Sequence, residues 1–178
     1  MPKYVALLRA INVGGHTVKM DHLRSLFAGL GFANVETFIA SGNVIFDSKA
    51  KDTSALERKI EKHLLGILGY EVRTFVRSVV EVAAAANYKP FSDSEMNTHA
   101  LYIGFLAEPP DAEATRKLLS FAGEIDDLHV HDREVYWLCR TTRLTDSKFS
   151  GALAEKVLNL RATFRNSTTV KKLAAKYS

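Results

Sequence analysis

Residues 7–20 read LLRAINVGGHTVKM, and they hold the densest set of groups able to grip an anion. Backbone N–H groups around Gly14 and Gly15 can form an anion-binding concavity at the positive end of the helix that follows. Arg9 and Lys19 add charge, and Asn12 adds a polar side chain. The spacing matches neither G-x-x-x-x-G-K-[ST] nor G-x-G-x-x-G, so neither nucleotide-binding pattern is present. A turn in which two glycines supply unusual φ angles accounts for the same residues without a ligand.

Three other stretches carry chemistry. In SGN (41–43), Ser41 and Asn43 offer a polar rim for the same cleft, although the local chemistry is that of a hairpin connection. Ser41 lacks the G-x-S-x-G setting of an activated nucleophile. In RNSTTVKK (165–172), Asn166, Ser167 or Thr168 can cap a helix, with Arg165 and Lys171 flanking its positive end. Capping explains the hydroxyls; anion capture explains the hydroxyls and the basic residues together. Lys148, after Ser147, stands at another expected helix start. His129 and His131 share a strand face but lack a third metal ligand, so a solvated hairpin is expected there. Cys139, the lone cysteine, sits among Val135, Trp137 and Leu138 and reads as a buried thiol. No metal site and no cofactor are expected.

The elements that must position these residues follow from periodicity. Residues 4–11 are an apolar strand. Leu23, Leu26, Phe27 and Leu30 give residues 20–32 one apolar helical face. Residues 34–39 and 43–47 are short strands. Leu56, Ile60, Leu64 and Ile67 stripe a helix over 52–68, opened either by Ser54 with Glu57 or by Asp52. Residues 70–77 alternate as a strand. The order is βαββαβ, which places both helices on one face of an antiparallel sheet. The same order recurs over 98–106, 111–123, the hairpin around Asp132 and Arg133, 146–159 and 161–165, followed by a helix over 167–177.

The expected fold is therefore α+β: two tandem ferredoxin-like α/β plaits, each with its helices on one face, plus a C-terminal helix. The boundaries are 1–78 for the first plait, 79–97 for a connecting helix and loop, and 98–178 for the second. Plaits this small are marginal alone, so the two are expected to pack closely.

Composition fits this reading. The 178 residues are 47% hydrophobic and 25% charged, the profile of an ordinary soluble protein. No apolar run approaches the roughly 20 residues of a membrane span. With one cysteine and no signal-peptide pattern, a cytoplasmic location and no membrane partner are expected. The net charge of +4 is too small to announce nucleic-acid binding. Its distribution is uneven. Residues 140–178 carry nine Lys/Arg against Asp146 and Glu155, a local +7. Residues 91–134 carry ten Asp/Glu against Arg116, Lys117 and Arg133, a local −7.

The N-terminal block resembles the bacterial family known as domain of unknown function 1697. The shared stretches are ALLRAINVGG (6–15), VKMDHL (18–23) and GFANVETFIASGNVIFD (31–47), with Ser147–Lys148 and TFRNSTTVKKL (163–173) further on. Ala10 stands where the family usually has glycine, which implies that a Cβ is tolerated there. Ser167 stands where a tryptophan is common, which weakens any stacking site. The resemblance implies a two-part α/β plait and carries no established activity.

The functional expectation is binding of an anionic ligand, a nucleotide, RNA or phosphorylated metabolite, through polar and basic loops between the two plaits. The binding set is Arg9, Asn12, Gly14, Gly15, Lys19, Ser41, Asn43, Lys148, Arg165 and Asn166. An enzyme on a small anionic substrate is the second reading, though no general base can be named. A structural or protein-interaction role is the third. The RNP1 pattern of RNA-binding plaits is absent, and Phe75, Tyr102 and Phe105 are expected in the core. The oligomeric state is open, with a monomer favoured.

Overall fold

A computed structural model describes residues 1–12, 15–39 and 42–178; of Leu144 it describes the backbone alone. The chain divides into two compact units. One holds Met1–Val82 with Tyr177–Ser178, and the other holds Ala83–Lys176.

In the first unit, β1 (Lys3–Leu8), β2 (Ala33–Thr37), β3 (Asn43–Asp47) and β4 (Thr74–Ser78) form an antiparallel sheet in the order β2-β3-β1-β4. Helices α1 (Met20–Ala28) and α2 (Thr53–Leu68) complete the βαββαβ order. One sheet face presents Tyr4, Ala6, Leu8, Val44, Phe46 and Val76 to the helices, which return Leu23, Phe27, Leu56, Ile60 and Leu64. The period of two along each strand meets the period near four along each helix, and this builds the core. The opposite sheet face, with Val5, Leu7, Ile45 and Phe75, is buried too.

Of the two candidate caps of α2, the chain uses Asp52, which accepts from the N–H groups of Ser54 and Ala55. Glu57 bonds elsewhere. Its carboxylate accepts the N–H of Val76, and Glu61 does the same for Thr74. Both donors lie on edge strand β4, so α2 closes the open edge of the sheet.

The second unit repeats the plan. Strands β5 (Ala100–Leu106), β6 (Asp126–His131), β7 (Glu134–Cys139) and β8 (Ala162–Asn166) take the order β6-β7-β5-β8. Helices α5 (Ala112–Leu119) and α6 (Gly151–Leu158) cover one face, where Leu106, Leu118, Val135, Trp137, Ala154 and Leu158 pack together. Strand register makes the repetition residue-specific. Val5 faces Arg77 across β1 and β4, and Ile103 faces Arg165 across β5 and β8. Both arginines are buried and donate to the carbonyl of the preceding residue. Glu155 of α6 accepts the N–H of Ala162 on edge strand β8, as Glu61 does for Thr74.

Between the sheets in sequence runs α3 (Val79–Asn87), which stops ahead of Pro90, and then α4 (Asp93–Thr98). The expected connecting helix is present as α3. Helix α4, a single short turn and a half, is an addition to the expected order. Its signal is the S-x-x-E of Ser92 to Glu95, in which the Ser92 hydroxyl accepts the Glu95 N–H. The chain ends in α7 (Ser167–Tyr177).

The helix expected over 146–159 starts late, at Gly151 with Ser150 as cap. Ser147 does not open it. Its hydroxyl donates to the buried Asp126 carboxylate and shares hydrogen bonds with Phe149, which holds residues 147–149 in a turn.

Candidate functional site

The second unit contains a cavity of about 370 Å³ on the sheet face opposite α5 and α6. Its floor is Leu101 and Ile103 from β5 and Tyr136 from β7, side chains buried by their place in the sheet. One wall is the end of α3 and the residues after it, including Asn87, Tyr88 and Lys89. A second is α4, through Asp93, Met96 and Asn97. A third is the start of α7, through Ser167 and Lys171. These two lie four positions apart, so one helical face carries both.

Several contacts fix the walls. The Tyr136 hydroxyl donates to the Ala85 carbonyl at 3.0 Å, which ties α3 to β7. Arg140 holds α4 by its acidic face, donating from Nε and Nη2 to the two oxygens of Glu95 at 3.1 and 3.2 Å. The same guanidinium reaches Asp127 and the carbonyls of Gly123 and Glu124. Its fork beside Glu95 pulls that carboxyl below the usual range, and the carboxyls hold Arg140 above its own. At the rim, Lys89 and Asp93 form an exposed ion pair at 3.1 Å. Lys171 makes no ion pair among the described residues. The charged lining is then two lysines against one aspartate.

Tyr88 leads from the cavity into a ring cluster. Its hydroxyl is 2.8 Å from His129 Nε2, and its ring stacks on His131 with centroids 4.0 Å apart. The hairpin expected at 129–132 is present, turned at Asp132 with φ 52°, but Tyr88 engages both of its histidines. Burial and the neighbouring His131 push His129 below the usual imidazole value.

The sequence-predicted residues fall in several places. In the second unit, Asn166 immediately precedes the α7 wall and accepts the Thr168 N–H, which caps that helix. Arg165 lies beneath it in the sheet, donating to Thr163 Oγ1 at 2.8 Å; burial pulls its guanidinium down to about 10. Lys148 lines a different cavity, of about 440 Å³, together with Glu124, Asp126 and Asp146.

In the first unit, Gly14 and Ser41 lie outside the described residues. The Asn12 side chain accepts the Val18 N–H at 2.7 Å and so closes the loop between β1 and α1. His16 stacks on Tyr70, whose hydroxyl donates to the Ile11 carbonyl. Gly15 has φ +82° with open space around it. Lys19 is exposed at the start of α1. Arg9 is half-buried, and its N–H donates to the Arg73 carbonyl. Asn43 is fully buried and donates to the Phe38 carbonyl.

Sequence reasoning missed Asn87, Lys89 and Asn97. They are ordinary polar residues near Pro90, and only their shared position around the cavity distinguishes them. Among the described residues, no group of three or more His, Cys, Asp or Glu is placed to hold a metal ion. No helix among them is long and apolar enough to cross a membrane. Cys139 is buried, its Sγ directed at the Thr141 carbonyl.

No curated protein sequence matches this chain. Among solved structures, the chain is similar to the conserved bacterial protein SP0830 from Streptococcus pneumoniae, with a TM-score of 0.76 and 23% identity. That similarity covers 98% of this chain and 97% of the other, and at this identity it speaks for the fold alone. The model of the family described as protein of unknown function DUF1697 matches residues 1–136. The chain, with its two four-stranded antiparallel sheets, belongs to the family of proteins of unknown function DUF1697.

Proposed function

We propose that the protein binds a small organic anion with an apolar body in the cavity of its second unit. One observation carries this reading: Ser167 and Lys171, on one face of the first turns of α7, border the same 370 Å³ space as Lys89 above a floor of Leu101, Ile103 and Tyr136. The volume is that of a small-molecule site, and a few polar groups over an apolar floor are what orient such a ligand. The anionic group is held by Lys171, with the Ser167 hydroxyl as donor and the positive end of α7 behind both. Asn166, one of the caps expected from the sequence, sets where α7 begins. A cavity of this size takes a single small molecule; it does not track a nucleic-acid strand.

Native mass spectrometry of freshly purified protein, followed by calorimetry with carboxylates and phosphate esters, tests the proposal. A retained or titratable anion is expected, with Lys171→Met weakening it about tenfold, the scale of one charge-assisted hydrogen bond. Affinity unchanged in Lys171→Met, or no anion bound at all, overturns it.

A further inference from the structure

We infer that the ligand of this cavity is a zwitterion, an apolar α-amino acid or a compound of the same charge layout. Its carboxylate lies against the start of α7, and its ammonium lies against the end of α3. The inference rests on the anion-binding reading above and adds a second recognition element to it.

The walls of the cavity stand on opposite sides of β5. Tyr136 pairs with Ile103 across β7 and β5, and Ile103 pairs with Arg165 across β5 and β8. Helix α3 is fastened on the β7 side by the bond from the Tyr136 hydroxyl to Ala85. Helix α7 leaves β8 directly at Ser167. The two helices therefore offer opposite ends to one space: α7 its first turn, α3 its last. Backbone dipoles make the first of these positive and the second negative.

Lys171 and Asp93 reinforce this polarity, and Lys89, paired with Asp93, opposes it. On the α7 side stands Lys171, without an ionic partner among the described residues. On the α3 side the Ala86 carbonyl would be met by the N–H of residue 90, but that residue is Pro90 and has none. Asp93 of α4 lines the same space. Its pair with Lys89 is two-thirds exposed on both sides. Exposed pairs of this kind contribute little, so a ligand ammonium can share Asp93 without a large loss.

Between the polar ends the lining is Leu101, Ile103, Met96 and the Tyr136 ring. A ligand with anionic and cationic groups at its head and an apolar side chain satisfies all three regions. A simple carboxylate leaves the α3 end and Asp93 unused.

Isothermal titration calorimetry on the full chain compares L-leucine and L-phenylalanine with their deaminated carboxylates and their decarboxylated amines. The amino acids are expected to bind about tenfold more tightly than either truncated form, the effect of one charged contact. Asp93→Asn, at an exposed position, is expected to remove the advantage of the amino acids over their deaminated carboxylates. Equal binding of amino acids and deaminated carboxylates overturns the zwitterion and leaves anion binding standing. An advantage that survives in Asp93→Asn does the same. No binding of any carboxylate-bearing compound overturns both readings.

Discussion

The ring of Phe164 occupies the space that a side chain on Gly104 would need: an added Cβ would lie 2.6 Å from its nearest ring carbons. Gly151 is open to the same ring, with its own Cβ position 3.1 Å away. Strand register pairs Ala6 with Val76 where the second unit pairs Gly104 with Phe164. One unit fills the site with a methyl and an isopropyl group, the other with one large ring against a bare backbone. Gly104→Ala is expected to cost about 1–3 kcal/mol as overpacking. Adding Phe164→Val should recover part of that loss, as the first unit's pairing implies. Chemical denaturation of the two single variants and the double variant measures the coupling; strict additivity would refute the shared-space account.

Ala10 adopts φ 57°, the left-handed region that residues other than glycine rarely occupy. The Cβ is tolerated, but at a cost of roughly 1–2 kcal/mol. Ala10→Gly is expected to recover part of this, offset by the added freedom of glycine in the unfolded chain. A higher melting temperature with an unchanged circular dichroism spectrum is the expected result.

Glu61 closes the edge of the first sheet by accepting the Thr74 N–H at 3.0 Å. Glu61→Ala leaves that N–H on an edge strand without its acceptor and should cost about 1–3 kcal/mol. Glu61→Gln keeps an acceptor oxygen and should lose less. Urea titrations rank the two, and light scattering during refolding tests whether the uncovered edge self-associates.

Asp126 is buried and accepts both the Trp137 indole N–H at 2.8 Å and the Ser147 hydroxyl at 2.7 Å. Asp126→Ala strands two donors and should destabilise by about 2–4 kcal/mol, whereas Ser147→Ala removes only one and should cost about 1 kcal/mol. Trp137 is the chain's single tryptophan, so its emission reports the loss of the indole partner without interference.

His129 is held below the ordinary imidazole value by burial, then by the charge of His131, with Asp127 opposing. The unfolded chain therefore binds this proton more readily than the folded one. The contribution is fully present above the unfolded value of 6.5 and is lost as pH falls from there through the lower folded value. His129→Gln is expected to reduce the fall in melting temperature between about pH 7.5 and pH 5, a range set by the ordinary histidine value. An identical pH dependence in both proteins would show that burial and the charge of His131 do not create the shift.

The βαββαβ order, its repetition and the faces of α1, α2 and α7 were legible in the residues. They rest on periodicity, which neighbouring positions determine by themselves: Leu23 with Phe27, Leu56 with Ile60, Val170 with Leu173. The Asp52 cap and the stop of α3 ahead of Pro90 are local for the same reason. The family signatures were legible too, but not their work. Asn12 closes its own loop, Asn43 braces a hairpin, and Ser147 anchors to Asp126, each with a partner that spacing alone did not single out.

The cavity lay beyond the sequence because its lining comes from Asn87, Asp93, Ile103, Tyr136 and Lys171, on five separate segments. Of these residues only Lys171 stands in a stretch, RNSTTVKK, whose local pattern pointed to anion capture. What selects them is the non-local pairing of β5 with β7 and β8, which brings the end of α3 and the start of α7 to the two sides of one strand. Local periodicity settles which segments are strands and helices and which of their faces are apolar. Which polar residues share a space follows from the packed fold, because it depends on contacts between segments far apart along the chain.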